Sequence, residues 1–315
     1  MLTAFVRLTC RWRAAPAVAL RLSRSPVKHI DTPAWAPTAV PLPNCGAAGR
    51  PAARGSPTRL FPGLALACVT LATVTVQAGS LDAAAERYRP LMAEEIDRSL
   101  TGARALRDAL LANDLEGAQQ AWIAARVGWE RAEVFTSGFT ELDAEIDAWP
   151  NAVTGFHAIE AKLFGARRMD VQPETDALIF HLTDLRVKIR DTRLTAQGLL
   201  NGAAKLAYEV GESKADGGES RFSGTSLDDM RNNVDGVEAV FRIVFAAEIE
   251  GRDPKLADAL RTKIDQLQTL LRVPALGRLD SNKLRAESEE LIVAFQTAAP
   301  LIGLDRLSLK DLVQR

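Results

Sequence analysis

The chain has 315 residues, 39 Lys and Arg against 40 Asp and Glu, a formal charge of −1 and three cysteines. That near-neutral balance hides an asymmetry: residues 1–80 carry nine basic side chains and one acidic one, Asp31, so the remainder has 30 basic and 39 acidic residues and a formal charge of −9. An acidic body is a poor partner for nucleic acid. Because Cys10, Cys45 and Cys68 all precede it, it has no disulfide, zinc–thiolate site or cysteine nucleophile.

Residues 1–58 are rich in Pro, Ala and Arg and show no sustained periodicity. They read as a basic extension, either an over-extended gene start or an Arg-rich transit segment. Arg59 then precedes an apolar run, Leu60 to Val74, and Val76-Gln77-Ala78 supplies a small-x-small cleavage site. Residues 59–78 therefore read as a signal peptide cut after Ala78, with a periplasmic destination for the rest. The run is interrupted by Pro62, Gly63 and several Thr, short of the ~20 apolar residues a membrane span needs, so an integral membrane protein is not expected. A lipid anchor at Cys68 is the less favoured alternative, since Ala65 fits a lipobox weakly.

From Leu81 the pattern is helical. Leu91, Ile96, Leu100, Leu106 and Leu110 recur on one helix face, ending near Asn113-Asp114. Further helices are expected over Leu115–Ser137, stopped by Gly138, and over Glu141–Ala148, before Trp149-Pro150. A helix capped by Thr154 carries His157 and Glu160 and ends at Gly165. A long helix covers Glu174–Leu200 and a short one Ala203–Val210, followed by a polar, Gly- and Ser-rich loop over Glu212–Thr225. Leu227–Glu250, Pro254–Arg272 and Asn282–Ala298 complete the set, giving an all-α bundle. Trp122 and Trp129 are seven apart and share a core face.

Two short patterns carry potential chemistry. Trp129-Glu130-Arg131-Ala132-Glu133 places two carboxylates three residues apart, and Gly155-Phe156-His157-Ala158-Ile159-Glu160 places an imidazole and a carboxylate at the same spacing. On a helix, residues at i and i+3 project from one face. Asp143 and Asp147 form another acidic pair between them. Glu130, Glu133, Asp147, His157 and Glu160 supply four carboxylates and one imidazole, a set that suits hard cations and, through the imidazole, transition metals. Gathered together, they repel one another unless a cation lies between them. Each pair also has a plainer reading. Glu130 is four residues from Arg126, as on a solvated helix surface, and His157 fits a packed core histidine. His181, on the long helix beside Phe180, reads as structural or surface.

The GxHxxE motif at Gly155–Glu160 resembles the signature of the imelysin-like family. The segments AWIAARVGWERAE and LDAEID upstream, and LLNGAAKLAYEV (Leu199–Val210) and NNVDGVEAVF (Asn232–Phe241) downstream, resemble its EfeO and EfeM branch of periplasmic iron-uptake proteins. The resemblance runs from about Leu81 to the C-terminus, so residues 79–315 are expected to form an imelysin-like helical domain of two antiparallel bundle halves. It implies metal-binding groups at Glu130, Glu133, Asp147 and Glu209, near His157 and Glu160, with Asp235 and Glu238 as weaker candidates.

The function implied by the resemblance is binding of Fe³⁺ or Fe²⁺, with Zn, Cu, Mn or Ca as alternatives, in an EfeUOB-type system. Its expected partners are a membrane iron permease and a periplasmic peroxidase-type protein. No catalysis is required. Residues 1–80 hold no β-rich segment for a cupredoxin domain, which makes the chain similar to the EfeM type. An imelysin-type metallopeptidase is the runner-up, although HAIEA lacks the second His of a zinc-protease motif. Binding of an acidic polysaccharide such as alginate is a third reading. The −9 charge opposes it, but bridging through a metal or through Arg167-Arg168 would help it.

Overall fold

A computed structural model of the chain describes residues 69–149 and 152–307. The basic extension, the start of the apolar run and all three cysteines, with His29, Trp12 and Trp35, lie outside them. The described residues contain helices and no strand. The expected all-α bundle is therefore what the described residues form. No helix among them is long and apolar enough to cross a membrane.

Helix α1 (Val69–Leu111) starts upstream of the expected cleavage point and runs without a break through Pro90. Its stripe Leu81, Ala85, Tyr88, Met92, Ile96, Leu100, Ala103 and Leu106 is buried, the spacing of a single helix face. The chain reverses at Asn113, which adopts φ 56°. Asp114 then caps α2 (Leu115–Ala132) by accepting the Gly117 N–H at 2.9 Å. The expected helix Leu115–Ser137 thus ends early, and Glu133–Gly138 tightens into a 3₁₀ turn. Both Trp122 and Trp129 are fully buried on α2.

Short helices α3 (Thr140–Asp147) and α4 (Gly155–Glu160) follow, the latter running into a π turn at Ala161–Gly165. Thr154 occupies the cap position of α4, but its side chain makes no capping bond. The expected helix Glu174–Leu200 is two helices, α5 (Gln172–Asp191) and α6 (Ala196–Gly211). Thr192 is extended, Leu194 N–H turns out to Glu86 (3.1 Å), and Thr195 caps α6 through Gly198 N–H (3.1 Å). These alternative bonds for Thr and its neighbours outcompete helix continuation. Helix α7 (Ser226–Val240) passes through a π turn at Phe241–Phe245 into α8 (Ala246–Glu250), and α9 (Pro254–Leu270) and α10 (Ser281–Leu301) close the fold.

The helices group into two sets. Helices α1, α2 and α5 pack together with α3 and α4 alongside; α6 packs on α10 and α7, and α10 on α9. The seam is α2 against α7, reinforced by the 133–138 turn against α6. There a Cβ on Gly202 would fall inside the Val134 carbonyl oxygen. We expect Gly202→Ala to force backbone apart at this seam and to destabilise the protein by about 3 kcal/mol, read as a lower urea midpoint.

Candidate metal centre

The seam between the two helix sets is polar where it should be driest. Arg126 and Glu130 are one helical turn apart on α2, and their side chains are 1% and 0% exposed. The plain surface reading of this pair is therefore wrong. The face of α2 that carries them is covered by α7 and by the 212–225 loop, so their charges must be satisfied internally.

Arg126 bonds both Glu130 Oε1 and Asp147 Oδ1 and lies 3.5 Å from Asp229 Oδ2. Its guanidinium stacks 5.2 Å from the Phe156 ring centroid and 5.8 Å from that of Trp122, an apolar seat suited to arginine's weakly hydrated plane. On its other side, Glu130 Oε2 accepts Lys214 Nζ and Asn233 Nδ2, each at 2.7 Å. Lys214 also lies 3.3 Å from Glu219 Oε1 and 3.6 Å from Glu133 Oε2. Trp129 Nε1 donates to Asp147 Oδ2 at 2.7 Å, which fixes that carboxylate from the core side.

The GxHxxE motif acts through geometry. Gly155 has φ 71°, and a Cβ there would collide with the Ile146 carbonyl. Only glycine lets α4 start hard against the end of α3. That contact brings His157, in the first turn of α4, to Asp147, at the end of α3: Nε2 to Oδ1 is 3.3 Å. His157 Nε2 is also 3.7 Å from Glu219 Oε1, and Nδ1 is 3.3 Å from Glu160 Oε2. His157 is 5% exposed, and its Nε2 has no hydrogen bond of good geometry. Glu160 spends its other oxygen on the loop: Oε1 accepts Phe222 N–H (3.0 Å), Ser223 N–H (2.8 Å) and Ser223 Oγ (2.8 Å). It orients the imidazole and anchors the loop.

Two groups of side chains offer ligand atoms within 4.8 Å of one another: Glu130, Glu133 and Asp147, and Asp147, His157 and Glu219. Asp147 belongs to both. Of the residues expected from the sequence, the structure thus gathers Glu130, Glu133, Asp147 and His157, with Glu160 directly behind His157. Glu209 is buried on α6, 3.6 Å from Lys205, and stands outside both groups. Asp143 pairs with Lys205 (3.3 Å). Asp235 and Glu238 turn away, to Arg131 (2.9 Å) and Arg242 (2.9 Å). His181 sits 3.8 Å from Glu145, away from the centre.

Sequence reading missed Arg126 as a participant, and Lys214, Glu219, Asp229 and Asn233 altogether. Asp229, Asn233 and Gly236 follow the i, i+4, i+7 spacing of one face of α7, so that signal was available. Lys214 and Glu219 lie in a segment without periodicity and carried none.

The electrostatics follow from burial. Seven buried carboxylates (Glu130, Glu133, Asp147, Glu160, Glu209, Glu219 and Asp229) face Arg126, Lys214, His157 and the partly buried Lys205. Burial pushes Glu209 up to about 8, with Glu133 adding to it; it pushes Asp147 up to about 7 and Asp229 up to about 6 against the pull of Arg126. Burial opposes the charged imidazole of His157, but Asp147, Glu160 and Glu219 outweigh it and raise its pKa to about 9. Burial also works against Glu219, yet Lys214 and His157 hold it well below the usual carboxylate range. Three carboxylates in excess of the cations, and three raised toward neutral pH, describe a site that is short of positive charge.

A family model for imelysin (peptidase M75) matches residues 84–152 and 143–298. An "Efem/EfeO family lipoprotein" of Staphylococcus haemolyticus is 28% identical over 203 residues, covering 61% of this chain and 70% of that protein. The "Iron uptake system component EfeO" of Escherichia coli K12 is 29% identical over 204 residues, which is 61% of this chain and 54% of the relative. The chain therefore spans about half the length of the E. coli proteins it matches. A crystal structure of a candidate iron-regulated protein A precursor from Parabacteroides distasonis superposes with a TM-score of 0.57 at 16% identity, over 71% of this chain and 95% of that one. That likeness concerns the fold alone.

Proposed function

The chain belongs to the imelysin family, in its EfeO/EfeM branch, and from that premise we propose that it is an extracytoplasmic iron-binding component of an iron-uptake system. It takes up iron as cargo between the two helix sets and passes it to a membrane permease. A periplasmic peroxidase-type protein would be a further partner. Residues 59–78 serve as its export signal, with cleavage after Ala78. The E. coli relatives carry the iron-uptake part of this reading, through their names.

The single observation in the molecule that carries it is the position of Asp147. One carboxylate, 4% exposed in its side chain, is shared by two potential ligand groups. Together the groups offer three glutamates, one aspartate and one histidine, a donor set rich in hard oxygen with one nitrogen, as iron accepts. Glu133, Glu130 and Asp147 form one face of the site, and His157 with Glu219 the other. Glu160 holds the His157 ring in place, the role of an outer partner that sets ligand orientation. Helix-borne ligands on facing elements of a bundle are the usual way such centres are built.

A peptidase has less support here. His157 and His181 are the only histidines among the described residues, and they do not converge. Among the described residues, therefore, no second histidine completes a hydrolytic zinc site of the two-histidine type around His157.

The test is titration of the purified chain with Fe³⁺, Fe²⁺, Zn²⁺, Cu²⁺, Mn²⁺ and Ca²⁺, beside Asp147→Asn. The amide keeps the shape of the carboxyl but has one acceptor, so it can serve Trp129 or Arg126 and not both; circular dichroism of the variant checks that its fold survives. We expect iron binding in the parent chain and an affinity loss of about 10- to 100-fold or more in Asp147→Asn. Binding of Zn²⁺ alone would favour the peptidase, and no binding of any metal would remove the proposal.

A further inference from the structure

Lys214 is the most deeply buried lysine of the described chain, 1% exposed, and it does not come from a helix. The 212–225 loop delivers its ammonium between three carboxylates: Glu130 at 2.7 Å, Glu219 at 3.3 Å and Glu133 at 3.6 Å. An ammonium has three donors and no acceptor, and here it meets three anionic groups. Two of these, Glu130 and Glu133, belong to a candidate ligand group, and Glu219 belongs to the other. The chain has therefore placed a tethered monovalent cation where the cargo cation would sit.

The two cannot share the position. A metal held by Glu130 and Glu133 would lie within a few ångströms of the ammonium, and like charges that close in a poorly solvated site repel strongly. Loop construction provides for exit. Its far arm is pinned, with Phe222 and Ser223 on Glu160, and Ser220 (2.6 Å) and Thr225 (3.2 Å) on Asp229. Its near arm carries Lys214 and is tied more loosely, by the half-exposed Glu212–Arg285 pair (2.9 Å) and by long hydroxyl bonds: Ser213 Oγ to Glu219 Oε2 (3.4 Å) and to the Glu209 carbonyl (3.4 Å), and Ser281 Oγ to the Ala215 carbonyl (3.3 Å). Gly217 (φ 76°) and Gly218 stand between the two arms. They separate Lys214 from Glu219 along the chain, so that once the long Ser213–Glu219 bond is released the near arm can swing while Glu219 stays with the pinned arm.

We propose that Lys214 is a built-in competitor for the metal, a latch on the 212–225 loop that closes the carboxylate centre and is expelled when the metal enters. The inference rests on the iron-binding reading above and adds its gating. Exchanging a single positive charge for a divalent or trivalent one favours multivalent cations over Na⁺ or K⁺. It also ties loading to the opening of one loop arm. That arm is a surface a partner protein could sense.

The experiment is lysine acetylation of the full chain by N-hydroxysuccinimidyl acetate, read residue by residue by mass spectrometry. It is run metal-free, with Zn²⁺, with Fe³⁺ supplied as citrate, and with citrate alone, beside the binding titration. Without metal, Lys214 should react at least about tenfold more slowly than the exposed Lys255 and Lys283, because it reacts only through opening. On loading it should approach their rate. Lys214→Gln should bind the metal at least about tenfold more tightly, the factor by which an open state populated a tenth of the time or less weakens apparent affinity. If the metal binds and Lys214 stays protected, the latch is wrong and the metal site stands. If Lys214 already reacts freely without metal, or if Lys214→Gln binds no more tightly, the latch is wrong as well. If no metal binds, both readings fall together.

Discussion

Replacing Glu130 by alanine should destabilise the metal-free protein by about 3–5 kcal/mol, the range expected when one member of a buried charge network is removed. The geometry makes Glu130 the centre of that network. Oε1 takes Arg126 from the same helix, and Oε2 takes Lys214 from the loop and Asn233 from α7. Truncation leaves a guanidinium and an ammonium, each 1% exposed, facing each other without the carboxylate between them. The loss reaches both helix sets, because the three partners come from α2, the loop and α7. In a domain of this size it corresponds to a fall in Tm of about 6–20 °C. Chemical denaturation with an unchanged slope is the measurement. Two comparisons separate charge from packing. Glu130→Gln keeps the volume and should lose less. Glu130→Ala combined with Lys214→Met should lose clearly less than the sum of the single changes, since the second substitution removes a charge stranded by the first. A loss below about 1 kcal/mol for Glu130→Ala would mean that Arg126 and Lys214 find water, and the buried network would not exist in solution.

How this centre relates to its sequence depends on what kind of signal each residue gave. Glu130 and Glu133 were legible because a helix converts a spacing of three into a shared direction. His157 and Glu160 were legible the same way, whereas the glycine before them stands in the sequence only as part of the motif, and the structure shows it to be the point where α4 meets Ile146. Arg126 was legible but ambiguous. An i,i+4 Arg–Glu pair looks the same in sequence on a solvated face or in a core, and only the covering elements decide. Lys214 and Glu219 gave nothing, because a Gly- and Ser-rich stretch has no periodicity and its side chains are aimed by tertiary contacts. Helix boundaries failed for a related reason. The break at Thr192–Thr195 is settled by local side-chain bonds, not by the apolar pattern, which continues across it; the π turns after Glu160 and Val240 lie inside helical segments that end, as expected, at Gly165 and Glu250.

The pH dependence of the metal-free protein should run opposite to that of a protein whose carboxylates are stabilised by pairing: its stability should fall as pH rises from about 5.5 to 8.5. Asp147, Asp229 and Glu209 are raised by burial to about 7, about 6 and about 8. In the unfolded chain such groups titrate near 4. Between those limits the folded state holds more protons than the unfolded state, and stability decreases with pH wherever that is so. His157 acts in the same direction. Its pKa is raised to about 9, so the stability it contributes is complete below about 6.5 and is lost as pH climbs through 9. Glu160 and Glu219 are depressed and work the other way. Their contribution is lost only when pH falls below about 4.5, outside this window. The groups share one network, so the total is smaller than the sum of separate shifts; a loss of a few kcal/mol, about 5–10 °C in Tm, is the expected scale. Thermal melts in the presence of a chelator at pH 5.5, 7.0 and 8.5 measure it. Asp147→Asn removes one of the titrating carboxylates and should flatten the profile. Metal should reverse its sense: a bound cation requires ionised carboxylates and a deprotonated imidazole nitrogen, so loading releases protons and affinity increases with pH. A metal-free Tm that rises from pH 5.5 to 8.5 would show that the carboxylates are already ionised at acid pH. The seam would then hold no protonated carboxylate whose proton a metal must displace, and the pH dependence of loading argued above would fall with it.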